Sequence, residues 1–168
     1  MALLRSRFVW IALSVGLYAI ALNMHALTIL TGQSDVGPAM SGADCLHNGS
    51  LLQGPESGDG PMTGTRLLYI SWVGNLVWFL ALVSVGFVRT QGIAIRIGGV
   101  ATLMSLLVLI PLLERLPIYT YYQVNYVVRV GPGYVLWVAA LATPAVAGWW
   151  LRRSLAAPHV STPASRAN

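Results

Sequence analysis

The sequence predicts an all-α membrane protein: a four-transmembrane-helix bundle with a long first outer loop and a short extended segment in the second outer loop. Three observations carry that expectation. Four apolar blocks, at 8–30, 67–88, 97–113 and 134–151, take up about half of the 168 residues. At a rise of ~1.5 Å per residue each approaches the roughly 20 residues that cross a hydrocarbon core of ~30 Å. Charged residues make up 9% of the chain and hydrophobic ones 56%, where soluble domains carry about 25% charged residues. The arginines, finally, gather at one kind of block end. The expected organisation is one membrane domain over 1–153 and a disordered cytoplasmic tail over 154–168, rich in Ala, Ser and Pro.

The first block follows Arg5 and Arg7. An Arg-x-Arg before an apolar run also opens a secretory signal, and Ala19-Ile20-Ala21 fits a small-x-small cleavage site. The run continues to Leu30, longer than the roughly 7–15 residues of a signal core, which favours an uncleaved anchor. Within it Ser14, Tyr18, Ala21, His25 and Thr28 recur at spacings of four and three and would share one helix face.

The first outer loop, 31–65, is rich in Gly, Ser and Pro and has little apolar material for a core of its own. It is expected to be mobile or held by a partner. It carries the sequon Asn48-Gly49-Ser50, idle in a bacterial protein. The second and third blocks are joined by a short connection, which makes them antiparallel neighbours. The second outer segment, 116–130, is β-branched and aromatic, with Ile118, Tyr119, Tyr121, Tyr122, Val124, Tyr126, Val127 and Val128 between Pro117 and Gly131-Pro132-Gly133. Such a run favours an extended strand near the headgroups, and its tyrosines equally suit an interfacial belt.

Charge orients the bundle. Arg5, Arg7, Arg89, Arg96, Arg152, Arg153 and Arg166 fall on one side. The other carries Arg66, Arg115 and Arg129 together with every acidic residue, Asp35, Asp44, Glu56, Asp59 and Glu114. The arginine excess marks the cytoplasmic side, so both termini are expected there. All ten basic residues are arginine and alanine is abundant, a composition pointing to a GC-rich bacterium and hence to its inner membrane. The order of a span, a long outer loop, a hairpin of spans, a shorter outer strand and a last span resembles that of claudin-like four-helix proteins. The resemblance is one of topology. The tryptophan and paired cysteines of the claudin first loop have no counterpart, since Cys45 stands alone and no Trp lies between Thr31 and Thr65, so no residue role or activity is carried over.

Polar groups at membrane depth are the best pointers to function, because each costs free energy unless it meets a partner or water. The candidate cleft consists of Tyr18, His25, Ser71 and Asn75, with Glu114 and Arg115 at its outer mouth; His25 is expected to reach Asn75 or Ser71. Interhelical bonding alone accounts for such residues, at ~0.6 kcal/mol per contact. The sharper expectation is a quinone, metabolite or proton site titrating near His25. Small residues at four-residue spacing, Gly98 and Thr102 on the third block and Ala140, Pro144 and Gly148 on the fourth, predict a tight helix pair or an intersubunit face. Pro111 and Pro144 are expected to bend their helices.

Other classes find little support. The arginines form no solvated stripe for nucleic acid. One cysteine excludes an intramolecular disulfide or a CxxC redox pair. His25 alone cannot supply paired haem ligands, and Asp44, Cys45 and His47 are weak metal candidates, so neither metal nor cofactor is expected. No nucleophile has the histidine and carboxylate company of a triad, and no enzymatic activity is expected. The partners expected are the lipid bilayer and other membrane subunits, or a second copy. The leading expectation is an accessory or scaffold subunit of a larger membrane complex; the alternative is a small carrier or lipophilic-ligand binder using the cleft around His25.

Overall fold

Seventeen residues of continuous apolar helix, α1 (Arg7–Asn23), lead directly into a strand, β1 (His25–Thr31), and that junction organises the molecule. The computed structural model describes residues 6–31, 39–51, 64–119 and 124–156. After β1 come β2 (Ala39–Ser41), α2 (Gly42–Leu51), α3 (Gly64–Gly86), a 3-10 turn over Val88–Thr90, α4 (Gln91–Leu106), α5 (Leu109–Glu114), β3 (Ile118–Tyr119), β4 (Val124–Val130) and α6 (Pro132–Ala156). The protein is mostly helical. Three helical stretches, Gly64–Gly86, Gln91–Glu114 and Pro132–Leu155, are long and apolar enough to cross a membrane, and α1 is a shorter apolar helix.

The first block does not stay helical to Leu30. Met24 turns to extended backbone (φ −101°, ψ 156°) with its N–H on the Ala21 carbonyl, and the segment beyond pairs as a strand. The reason is non-local. In the four-stranded antiparallel sheet of order β2-β1-β4-β3, β1 lies between β2, with His25 opposite Ser41, and β4, with Leu27 opposite Val130 and Thr31 opposite Asn125. The Gly131 N–H donates to the Ala26 carbonyl at 2.7 Å and the Gly42 N–H to the Met24 carbonyl at 3.0 Å. A Cβ on Gly131 or Gly133 would collide with the His25 carbonyl, so glycine at both positions lets the start of α6 lie against the end of α1. The extended segment expected over 116–130 is present as β3 and β4, with 120–123 outside the described residues.

The first loop also holds more structure than its composition suggests. Ser41 and Asp44 form a capping box at the start of α2: Ser41 Oγ accepts the Asp44 N–H at 3.1 Å, while the Asp44 carboxylate accepts the Ser41 N–H at 2.9 Å and its hydroxyl at 2.7 Å. The helix is fastened to α3 by the Trp72 indole N–H on the Leu46 carbonyl at 3.0 Å. Residues 32–38 and 52–63 of that loop, residues 1–5 with Arg5, and the tail from 157 onward lie outside the described residues; 154–156, expected in the disordered tail, belong to α6.

Helix α1 runs along α6, α6 along α4, and α4 along α3, with α1 and α3 touching less extensively. Three buried clusters fill the stack. The one at the sheet end gathers Ala26, Leu27, Val108, Ile118, Val127 and Tyr134. The central one holds Trp78, Leu82, Ala101, Ala140 and Leu141. At the far end, Val85, Ala94, Ala147 and Leu151 pack with Trp10 and Ile11. Outward, the helices are strongly apolar: Leu103 is 67% exposed, Leu113 76% and Phe79 59%, whereas Ser14, Ser71 and Ser105 are wholly buried. Small polar side chains buried within an apolar core, under a surface of large apolar ones, depart from the pattern of a water-soluble bundle and suit a hydrocarbon surround.

Helices α4 and α6 are the tight pair. A Cβ on Gly98 would lie 2.7 Å from the Ala145 nitrogen, and one on Gly148 would lie 2.8 Å from the Gln91 carbonyl oxygen. Backbone therefore rests on backbone at both glycines. The stretch Gln91–Glu114 is also broken, one turn earlier than its proline: α4 ends at Leu106 and α5 starts at Leu109. Pro111 has no N–H to offer the Leu107 carbonyl four residues back and its ring crowds it. That carbonyl instead takes the Ile110 N–H at 3.2 Å in a tighter turn.

Candidate functional site

The polar side chains of the helices are spent on one another in three groups along the bundle. The first answers a defect. Pro144 sits inside α6, so the Ala140 carbonyl lacks its helical donor. Ser14 Oγ–H of α1 donates to that oxygen at 2.8 Å, and the Trp78 indole N–H of α3 is shared between it, at 3.1 Å, and Ser14 Oγ, at 3.0 Å. An orphan carbonyl in hydrocarbon would cost several kcal/mol by order of magnitude; here two neighbouring helices satisfy it.

The second group centres on Asn75. Its Oδ1 accepts the Tyr18 hydroxyl of α1 at 3.1 Å and the Trp137 indole N–H of α6 at 2.8 Å, while Nδ2 donates to the Trp72 carbonyl at 2.9 Å. Two donors occupy both lone pairs of the amide oxygen. Tyr18 also stacks on Trp78, with ring centroids 4.5 Å apart and planes 9° from parallel, which ties the second group to the first. The third group lies at the break between α4 and α5. The Ser105 carbonyl accepts the Tyr134 hydroxyl at 3.0 Å and the Ser71 hydroxyl at 3.3 Å, and Ser105 Oγ–H turns back to the Thr102 carbonyl at 2.6 Å.

The candidate cleft is thus divided. Tyr18 and Asn75 meet, and Ser71 serves a separate bond to α4. His25, expected on the face of Ser14 and Tyr18 within a span, stands instead on β1, where Nε2 and Thr28 Oγ1 are 3.0 Å apart. The helix ends two residues before it because strand pairing with β4 claims the backbone. Among the described residues no hydrogen bond or ion pair joins His25 to Asn75, Ser71 or Glu114. Glu114 and Arg115 are exposed at the end of α5, where Arg115 takes a left-handed conformation (φ 50°) and its N–H closes the helix on the Pro111 carbonyl. Of the packing residues, Gly98, Ala140, Pro144 and Gly148 are buried, and Thr102 Oγ–H bonds the Gly98 carbonyl at 2.8 Å within its own helix.

Asp44, Cys45 and His47 face different surroundings. Asp44 is engaged with Ser41, and those hydrogen bonds hold its carboxyl below the usual aspartate range. Cys45 packs against the cluster at the sheet end; burial, helped by the charge of Asp44, pushes its thiol up to about 12. His47 is exposed. Among the described residues no three His, Cys, Asp or Glu side chains gather to hold a metal.

Trp78, Trp137 and Tyr134 serve as hydrogen-bond donors, a role that their positions in the sequence do not reveal. The signal available for the first is Pro144 itself, since a proline in a buried helix requires a donor facing the carbonyl four residues back. Comparison of the chain with protein-family models, with curated proteins and with solved structures finds no match in any of the three, and the topological likeness noted from the sequence therefore assigns no family.

Proposed function

We propose that this chain is a non-enzymatic four-span membrane protein that serves as an accessory or scaffold subunit, with its sheet-bearing end outside the cytoplasm and its arginine-rich end within. Helix α1 is the fourth span: its 17 residues are at the short limit of the range for crossing a bilayer, about 17–25. The observation that carries the reading is the double engagement of Asn75. The polar groups best placed to line a ligand cleft hold α1, α3 and α6 together, and His25 belongs to the sheet. That supports a bundle built for fixed geometry and leaves the outer sheet and α2 as its chemically distinctive surface. Strands β2 and β3 are the edges of that sheet among the described residues, and unpaired strand edges are templates for partner strands.

The test has two arms. Protein extracted from native membranes in a mild detergent should run, after chemical cross-linking, at a mass above that of one chain. Met40→Pro, which removes a β2 backbone donor, should abolish that product while leaving the helical circular dichroism intact. A chain that stays monomeric under cross-linking would remove the scaffold reading. The carrier alternative makes the opposite demand, that Asn75→Leu eliminate binding of a quinone analogue with unchanged thermal stability. On the scaffold reading Asn75→Leu lowers stability, by about 1–2 kcal/mol at most.

A further inference from the structure

We infer that the lipid-facing side of α4 is a binding site for an anionic phospholipid, its phosphate held between Arg89 and Arg96 and its acyl chain laid along Ile93, Val100 and Leu103. The inference rests on the four-span reading and adds a ligand to it. Arg89 stands in the 3-10 turn that leads into α4, and the other four positions, on α4 itself, are spaced by three, four and three residues. At ~100° per residue those four fall within about 40° of a single line along the helix. All five are exposed, whereas Ala94, Gly98, Ala101 and Ser105, on the opposite face, are buried against the bundle.

Arg96 is the informative residue. The second membrane-length helix begins at Gln91, which puts the Arg96 backbone ~8 Å inside it by helical rise. A guanidinium on the outside of a span at that depth is costly unless it reaches the headgroups or meets an anion. The chain offers none: all five acidic residues fall at 35–59 or at 114, and the described ones, Asp44 and Glu114, belong to the sheet end. Arg7, which donates to the Gly86 carbonyl at 3.1 Å, and Arg153, 5.4 Å from the Trp149 ring centroid, are already engaged. Arg89, in the turn just before α4, and Arg96, within the second turn of α4, lie at the same end of the helix, where two long arginine side chains can converge on one phosphate, and Arg is suited to that oxyanion by its planar fork. Aliphatic side chains continue the same line toward the bilayer centre, matching the order of phosphate and hydrocarbon in an inner-leaflet lipid.

Native mass spectrometry of the full chain in neutral detergent, titrated with dioleoylphosphatidylglycerol, dioleoylphosphatidylcholine or sodium phosphate, tests the site. Phosphatidylglycerol should load at roughly tenfold lower concentration than phosphatidylcholine. Arg89→Gln with Arg96→Gln should erase that preference, and Arg152→Gln with Arg153→Gln should leave it within about twofold of the native chain. Arg96→Gln alone, expected to lose about threefold, decides the matter if the double variant does not survive extraction. An unchanged preference in the Arg89 and Arg96 variant overturns the site, as does equal loss in the Arg152 and Arg153 variant, which would mean diffuse charge. Displacement of the lipid by millimolar phosphate would show a free-anion site and overturn it too. Resistance of the native chain to alkaline carbonate extraction is scored separately: a resistant chain without lipid preference loses this inference alone, and an extractable chain loses the four-span reading with it.

Discussion

The helical part of the molecule and the cap at its sheet end solve the same problem, satisfying polar groups, with opposite materials. In the helices the backbone satisfies itself, and trouble arises only where proline interrupts it. There the remedy is long-range: Ser14 and Trp78 come from two other helices to serve the Ala140 carbonyl. In the cap the backbone is satisfied between strands distant in sequence, and apart from the Trp72 bond to the Leu46 carbonyl the side-chain bonds are local, with Ser41 and Asp44 serving each other across one turn and His25 meeting Thr28 three residues on. On the proposed four-span reading the difference follows from solvent: water can stand in for a missing partner in the cap, but a helix in hydrocarbon must find its partner in protein.

The largest way to break the helical half is to part α4 from α6. Gly98→Val places a branched side chain where a Cβ already meets the Ala145 backbone, and should cost about 1–3 kcal/mol or more, measured as a lower midpoint of unfolding in mixed detergent. Gly99→Ala is the sharpening control, since nothing lies within 4 Å of a Cβ there; it should be neutral or gain up to about 1 kcal/mol of helix propensity.

Next in size is the repair at Pro144. Because the Ala140 carbonyl has two donors, Ser14→Ala or Trp78→Phe alone should cost near 0.6 kcal/mol in lost bonding, about the mean for interhelical bonds, with Trp78→Phe losing some packing besides. Together they should cost more than their sum, by about 1–3 kcal/mol, because the carbonyl is then orphaned. Pro144→Ala restores a helical donor and should cancel much of that excess. A double-mutant cycle run in the native chain and again in the Pro144→Ala background checks it; additive losses in both would show that the carbonyl was never the shared object.

What was legible in the sequence follows the same division. Membrane-length helices were written as apolar blocks, and their inward faces as Ser, Gly and Ala at helical spacing, because those signals are local. The end of α1 was not. His25-Ala26-Leu27-Thr28-Ile29-Leu30 continues the apolar run without Gly or Pro, and what stops the helix is strand pairing with residues a hundred positions later. The same pairing took His25 off the helical face of Tyr18 and placed it on β1 beside Thr28. Asn75 was legible as a polar group needing a partner; that the partners are an aromatic hydroxyl and an indole on two different helices depends on packing that spacing does not encode.

A smaller effect belongs to the cap and to pH. The Asp44 carboxyl is lowered by its bonds to Ser41, so the carboxylate form stabilises the capped state. That contribution is present in full above the ordinary aspartate value of about 3.9 and is lost as pH falls from there through the lowered folded value. Acidification across that window should loosen the start of α2 while the helices hold, visible as a change in Trp72 emission obtained by difference against Trp72→Phe. Asp44→Asn should remove the pH dependence, and a transition that persists in that variant would assign it to another group.

Cys45 gives the smallest effect on stability and the sharpest view of the cap. Its thiol faces the cluster at the sheet end and is pushed up to about 12 by burial first and by Asp44 second. At pH 8 the thiolate that reacts with a maleimide is therefore scarce, and labelling should be on the order of a hundredfold or more slower than for a free thiol. Cys45→Ala removes one sulfur from a partly buried position and should shift unfolding by no more than about 1 kcal/mol. Because Cys45 sits on α2, where that helix meets the sheet-end cluster, the labelling rate reports how firmly α2 is seated. Ser41→Ala, which deletes one side of the capping box, should raise that rate several-fold with the unfolding midpoint of the helices unchanged. If labelling accelerates only when the helices themselves unfold, cap and bundle form a single cooperative unit and the contrast between them is one of chemistry without independence.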